Sequence, residues 1–395
     1  MRETAVKKLL ANFTKKRILT ALAIFLFAFA LFFLARAAYL EIQAVSPADL
    51  ASPAPKHRVL HISEPEIVKG IYLTARTAGI YRFDELLDLA KSTELNTLVV
   101  DVKDSADGII FNTQNPFLLK YVGETLFIKD LEKLIGKAHE NKIYLIARVF
   151  VFQDPAFVKI HPEWAVKNKA GGVWKDYKGV TWLDPACKGV WDYNLALSRE
   201  LYNRGFDEIN FDYIRFPSDG NLSNAVYPCF KGEDKAKTMQ AFFEYLNINL
   251  QGIPISVDLF GQTCCNKDDI NIGQKIISAF YNFDAICQMM YPSHYYTNFD
   301  GYKNPAEHPY EVIKYSLDNT FEKINQLIDS ASSTVRTIPS RQTHLRPWIQ
   351  GFDMGAIYTP EMTRKQMKAI YDTPNTGGWL LWNARNVYSE NIFLK

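Results

Sequence analysis

Two periodicities alternate along this chain. Short runs rich in β-branched and aromatic residues occupy 69–74, 97–103, 143–149, 207–213, 255–260, 285–291, 348–352 and 378–382. Between them, apolar positions recur at helical spacing over 83–92, 128–140, 188–203, 235–250, 271–280, 310–329 and 361–371. Strands that alternate with helices are joined by crossovers, which makes the sheet parallel and the class α/β. Eight such units predict a closed (β/α)8 TIM barrel with enlarged loops. The other doubly alternating architecture, an open doubly wound sheet, carries a glycine-rich phosphate turn after its first strand. Here Thr74-Ala-Arg-Thr-Ala-Gly79 stands in that place.

The most informative strand is the fourth, Glu208-Ile-Asn-Phe-Asp-Tyr-Ile-Arg-Phe-Pro217. Ile209 and Phe211 alternate with Asn210 and Asp212, so one face suits the helical layer and the other faces the barrel axis. Asp212, Tyr213 and Arg215 fall where the strand ends, the end at which TIM barrels carry their chemistry. The same parity in the other strands nominates Asp101 and Lys103 from the second and Arg148 from the third. It adds Ser256 and Asp258 from the fifth, Tyr291 from the sixth, Gln350 from the seventh and Trp382 from the eighth. Polar groups thus converge on one mouth, as a site requires and a plain core does not.

Four stretches, Lys69-Gly-Ile-Tyr-Leu-Thr74, Asn96-Thr-Leu-Val-Val-Asp-Val-Lys-Asp104, Phe211-Asp-Tyr-Ile-Arg-Phe-Pro217 and Gly377-Gly-Trp-Leu-Leu-Trp-Asn383, carry a resemblance. Across roughly residues 68 to 390 the chain resembles a family of glycoside hydrolases with a TIM-barrel domain, distantly like α-amylase-type enzymes. The resemblance implies a nucleophilic carboxylate at Asp212 and an acid on the fifth strand. That acid is usually Glu, and here the position holds Asp258.

Chemistry gives a separate reason to pair these two. Glycosidic cleavage uses one ionised carboxyl and one that carries a proton to the leaving oxygen. Adjacent parallel strands lie about 4.8 Å apart, so inward carboxyls on strands four and five fall close together. Close carboxyls suit a retaining mechanism, with Arg215 or Arg148 as counter-ion to Asp212 and aromatic walls raising the pKa of Asp258. A barrel-end carboxylate bonded to Lys103 or Arg148 is the competing role for Asp258. Aromatic residues make up 14% of the chain, and those near strand ends are candidates to stack on sugar faces. The run Tyr291-Pro-Ser-His-Tyr-Tyr296 adds His294 to the candidate binding residues.

The amino terminus bears on location. Residues 2–17 hold Arg2, Lys7, Lys8, Lys15, Lys16 and Arg17 against Glu3, and 18–35 carry no charge. Eighteen residues of helix span about 27 Å, close to the hydrocarbon thickness. The reading is a cytoplasmic basic tail (1–17), a transmembrane signal anchor (18–40), a Pro-rich linker (41–66) and an extracytoplasmic barrel domain (67–395). Ala35-Arg-Ala37 keeps a cleaved signal peptide as the alternative. Beyond residue 40 the chain holds 38 basic and 42 acidic residues, which argues against a nucleic-acid partner. Of the five cysteines, Cys229 is expected to pair with Cys264 or Cys265 across neighbouring loops. Cys187 and Cys287 are expected free. No zinc spacing, nucleophile elbow or phosphate loop occurs, and Asp268-Asp-Ile-Asn271 lacks calcium-loop spacing and reads as a helix cap. No cofactor or metal is expected.

These features together predict a membrane-anchored, exported glycoside hydrolase acting on an extracellular or cell-wall polysaccharide. A non-catalytic barrel that binds glycans or scaffolds the envelope is the alternative; it would tolerate loss of either carboxyl.

Overall fold

The computed structural model describes residues 59–332 and 343–394. The basic tail, the predicted membrane anchor and most of the linker lie outside the described residues. Among the described residues, no helix is long and apolar enough to cross a membrane.

Eight parallel strands close on themselves. They are β1 (Val68–Leu73), β2 (Thr97–Asp101), β3 (Tyr144–Phe150), β4 (Glu208–Asp212), β5 (Ile255–Phe260), β6 (Ala285–Met289), β7 (Trp348–Gln350) and β8 (Gly378–Trp382). Each pairs with its neighbours in chain order, and β8 returns to β1 in parallel register. The expected fold class is therefore the one observed. Strand seven is interrupted: His344–Leu345 pairs with the start of β6, and β7 resumes only after Pro347. Proline has no N–H to give a ladder, which accounts for the break.

Alternation sorts the side chains. Ile71, Leu98, Val100, Leu145, Val149, Ile209, Phe211, Val257, Ile286 and Leu381 are wholly buried and carry the parity that packs beneath the helices. The opposite parity builds the interior, where Val68, Tyr72, Val99, Tyr144, Ile146, Cys287, Trp348 and Leu380 form one cluster.

The helices that correspond to the expected ones are α1 (Arg82–Ser92), α2 (Leu131–Glu140), α3 (Lys188–Arg204), α4 (Lys235–Asn249), α5 (Ile276–Phe280), α6 (Pro309–Ser332) and α7 (Pro360–Tyr371); short helical turns at Ala75–Ala78 and Pro155–Ile160 lie in loops. Their ends follow capping chemistry. The Asp130 carboxylate accepts the Lys133 N–H at 2.9 Å, so α2 starts after residue 130 and not at 128. Gly205, at φ 117°, ends α3 in the left-handed conformation. Helix α5 is much shorter than the expected 271–280, because Ile270, Asn271 and Gly273 all adopt positive φ. The Asp269 carboxylate accepts the N–H groups of Asn271 and Gly273. That segment is therefore a turn rather than the expected helix cap.

The end of the nominal linker is part of the domain. His61 stacks on Tyr202 with ring centroids 4.0 Å apart, and Ile62 donates its N–H to Asp207 at 2.7 Å. Glu64 pairs with Arg346 at 3.1 Å, and Arg346 in turn pairs with Glu208. These contacts tie the residues before β1 to the end of the barrel opposite the mouth.

The cysteine expectation is overturned. Cys187 is bonded to Cys229, with Cα atoms 5.3 Å apart, while Cys264, Cys265 and Cys287 are free. Strand β4 has two neighbours, and the loop after either could have reached Cys229. The long β3–α3 loop, ending at Cys187 just before α3, is the one that folds over it. The Asp184 carboxylate fixes this junction by accepting the N–H groups of Cys229 at 2.6 Å, Phe230 at 2.9 Å and Ala186 at 2.9 Å. Asp184, Cys187 and Cys229 are close enough to hold a metal ion. With both sulfurs in a disulfide, neither is a thiolate ligand.

Candidate active site

The carboxyl ends of the strands surround a cavity of about 390 Å³. Its floor is organised by Arg148, which projects from β3. One terminal nitrogen donates to Asp101 at 2.6 Å, the other donates to Asp212, and Nε lies 3.7 Å from Asp258. Three carboxyls from β2, β4 and β5 thus share one guanidinium. Burial disfavours the charge on Arg148, yet Asp101 and Asp212 outweigh it and hold the group well above its ordinary value. Asp101 is further anchored by the Tyr72 hydroxyl from β1.

Asp212 ends β4 and accepts a second hydrogen bond, from the Tyr213 N–H at 2.5 Å. That bond depends on Tyr213 adopting φ 49°, a left-handed conformation unusual for an aromatic residue and a common mark of functional sites. Asp258 sits one strand away. Its Oδ1 accepts Asn210 Nδ2 at 2.9 Å and Trp348 Nε1 at 2.8 Å. Burial, and then the neighbouring Asp212 charge, push the Asp258 carboxyl well above the usual carboxylate range. One carboxyl matched by a guanidinium beside another driven toward its acid form is the arrangement that separates a nucleophile or base from an acid.

The expected site residues divide into two groups. Arg148, Asp212, Tyr213, Arg215, Asp258, Tyr291, His294 and Trp382 all line the cavity. Asp101, Lys103 and Gln350 do not. Asp101 acts from behind, through Arg148. Strand β2 ends at Asp101, two residues earlier than expected, and Lys103 enters an antiparallel pair with Gly108–Ile109. Its ammonium is fully buried against Asp154 at 2.7 Å and lies over the rings of Phe150 and Tyr193, so it is a structural ion pair away from the cavity. Gln350 is consumed internally, accepting from Ser293 N–H and donating to the Phe352 carbonyl. It braces the loop that carries His294. Burial, then the Lys178 charge, lower the His294 pKa.

Several functional positions were missed. Tyr72 lies on the inward parity of β1 and could have been read from alternation. Lys178, Phe260, Gln262 and Met289 also line the cavity. Lys178 and Gln262 come from loops, where no periodicity marks them. Trp382 stacks on Tyr72 with centroids 3.9 Å apart and meets Trp348 edge-on at 5.6 Å, forming an aromatic wall beside Arg148.

The model of the family described as "Putative glycosyl hydrolase domain" matches residues 70–388. No curated protein matches the chain in sequence. Among solved structures, a hypothetical protein from Ruminiclostridium thermocellum is 34% identical over 48% of this chain and 96% of its own, with a TM-score of 0.43. The PgaB (BpsB) glycoside hydrolase domain from Bordetella bronchiseptica has a TM-score of 0.55 at 11% identity. That match covers 80% of this chain and 94% of the other. The α-galactosidase TtGalA from Thermus thermophilus has a TM-score of 0.48 at 11% identity, covering 85% and 61%. Matched along nearly the whole barrel, the chain belongs to the putative glycosyl hydrolase domain family.

Proposed function

We propose that this protein is an exported, membrane-anchored glycoside hydrolase that cleaves an extracellular or cell-wall polysaccharide by a retaining mechanism. The observation that carries the reading is the pair Asp212 and Asp258, on adjacent strands, both beside Arg148 and both lining one cavity. In this mechanism the Asp258 carboxyl gives its proton to the departing glycosidic oxygen while an Asp212 oxygen bonds to the anomeric carbon. Water then displaces Asp212 at the anomeric carbon as Asp258 takes a proton from that water. Arg148 offsets negative charge around Asp212, and Trp382 and Trp348, which line the cavity, offer rings on which a sugar face can stack.

Export is supported by the basic residues before the uncharged stretch 18–35 and by the Cys187–Cys229 disulfide, a bond that persists in oxidising compartments. The test is release of reducing ends from a panel of polysaccharides by the full-length protein. The Asp212→Asn variant should lose at least about 1,000-fold in kcat while still binding glycan. Proton NMR of the first-formed anomer reports the stereochemistry. Full activity in Asp212→Asn removes Asp212 from the mechanism, and glycan binding without turnover in the unmodified protein leaves a non-catalytic binder.

A further inference from the structure

The cavity lining carries cations that the proposed chemistry does not use. Around Arg148 the carboxyls exceed the cations. Two further cations, Arg215 and Lys178, line the same space, as does His294. Arg215 is 7% exposed, yet among the described residues no carboxylate stands within 4.0 Å of it. Both of its hydrogen bonds leave from one terminal nitrogen, to the Phe216 carbonyl and the Ser218 hydroxyl, each at 3.1 Å. Its guanidinium carbon lies 4.8 Å from the Trp182 ring centroid and 4.5 Å from that of Phe260. Aromatic rings therefore cover it, while the nitrogens that do not bond Phe216 and Ser218 are left for an acceptor in the cavity.

Burying a guanidinium without a counter-ion is costly. Burial lowers the Arg215 pKa below its ordinary value, with Asp212 opposing. Of the carboxylates whose charge reaches it, Asp219 is exposed and outside ion-pair range, and the other two are committed elsewhere. Asp176 accepts from Trp182 Nε1 at 3.0 Å and from the backbone of Lys178 and Val180, and Asp212 is held by Arg148. Lys178 has no carboxylate within ion-pair range among the described residues and stands exposed at the same cavity. An arginine fork with a second cation lining the same cavity is an arrangement that can recognise a planar or tetrahedral anion.

We propose that the cavity takes an acidic glycan, one sugar of which places an anionic group, a carboxylate or a sulfate or phosphate ester, on Arg215 with Lys178 lining the same cavity. This rests on the cavity being the glycan site and specifies which glycans enter it. Arg215 is a specificity-determining residue in this scheme: it touches the substituent and takes no part in bond breaking. Neutral sugars leave its free N–H groups unmatched, and amino sugars meet two like charges.

Binding of defined oligosaccharides to the full-length Asp212→Asn protein, by calorimetry, tests the idea. The probes are oligouronates of galacturonate, mannuronate and glucuronate, together with sulfated and phosphorylated oligosaccharides. Each is paired with its carboxyl-reduced, desulfated or dephosphorylated counterpart. At least one acidic probe should bind about 30-fold more tightly than its neutral partner, the least expected when one member of a buried charge pair is removed. Which pair shows the gap distinguishes a carboxylate from an ester. Arg215→Gln should erase most of that preference, and Arg215→Lys should restore part of it. Lys178→Gln, at an exposed position, tests the preference should Arg215→Gln fail to fold, and should reduce it severalfold. Neutral partners that bind as well as or better than every acidic probe overturn the proposal, even if the enzyme hydrolyses them. Acidic probes that bind through Arg215 but are never cleaved by the unmodified protein keep it and overturn the hydrolase reading instead.

Discussion

Arg148 is the position at which the structure makes its most demanding energetic claim. Replacing it with methionine keeps much of the side-chain volume and removes the one cation shared by Asp101, Asp212 and Asp258, all of them 9% exposed or less. A unit pair about 4 Å apart is worth about 4 kcal/mol at an effective dielectric of 20. Measured losses on stranding a buried charge are about 3–5 kcal/mol, since desolvation of the arginine is recovered. With an unfolding entropy of about 0.7 kcal/mol/K for roughly 330 folded residues, Arg148→Met should lower Tm by about 4–7 °C. The sign of its pH dependence is the sharper signature. Without the guanidinium, the stranded carboxyls can relieve their burial only by taking protons, so their folded pKa values rise above the unfolded ones. Stability from such a group is full below the unfolded pKa and is lost as pH rises through the folded one. The Tm deficit should therefore be clearly smaller at pH 5 than at pH 8. Scanning calorimetry of the full-length chain at both values decides it. A loss under about 1 °C, or one equal at the two pH values, would refute the shared-guanidinium account.

Asp258 has a raised pKa, so kcat should fall as pH climbs through it, and the stability it contributes should fade over the same window. Asp258→Asn should abolish turnover yet melt higher than the unmodified protein at alkaline pH, which thermal melts at acid and alkaline pH will show. Glu64 is pushed up to about 7, chiefly by burial with Arg346 opposing. Glu64→Gln should accordingly gain stability relative to the unmodified chain as pH passes upward through 7, read from denaturant midpoints across that range. Reducing Cys187–Cys229 reopens a loop whose ends are 42 residues apart and should cost about 4 kcal/mol by the chain-entropy relation. Melts with and without reductant measure this, and Cys264→Ser should leave the reductant effect unchanged.

The alternation of strand and helix was legible because each residue's facing depends only on its neighbours in sequence. Ile209 and Phe211 had to face one layer, Asn210 and Asp212 the other, and closure of eight such strands placed Arg148, Asp212, Asp258 and Trp382 at one mouth. Capping chemistry was legible for the same reason, though the positive φ values at Ile270 and Asn271 show a turn overriding helical periodicity. Parity, however, holds only while the strand lasts: β2 ended at Asp101, and Lys103 went to Asp154 instead of the cavity. Contacts between loops were closed to the sequence altogether. Cys229 was expected to pair across the β5 side with Cys264 or Cys265, and the path of the β3–α3 loop brought it Cys187 instead. That same loop brought Lys178 to the cavity that Arg215 lines, though the two residues are 37 positions apart. Local periodicity sets the direction of a side chain; which distant groups it then meets depends on loop paths, and those are settled by packing across the whole barrel.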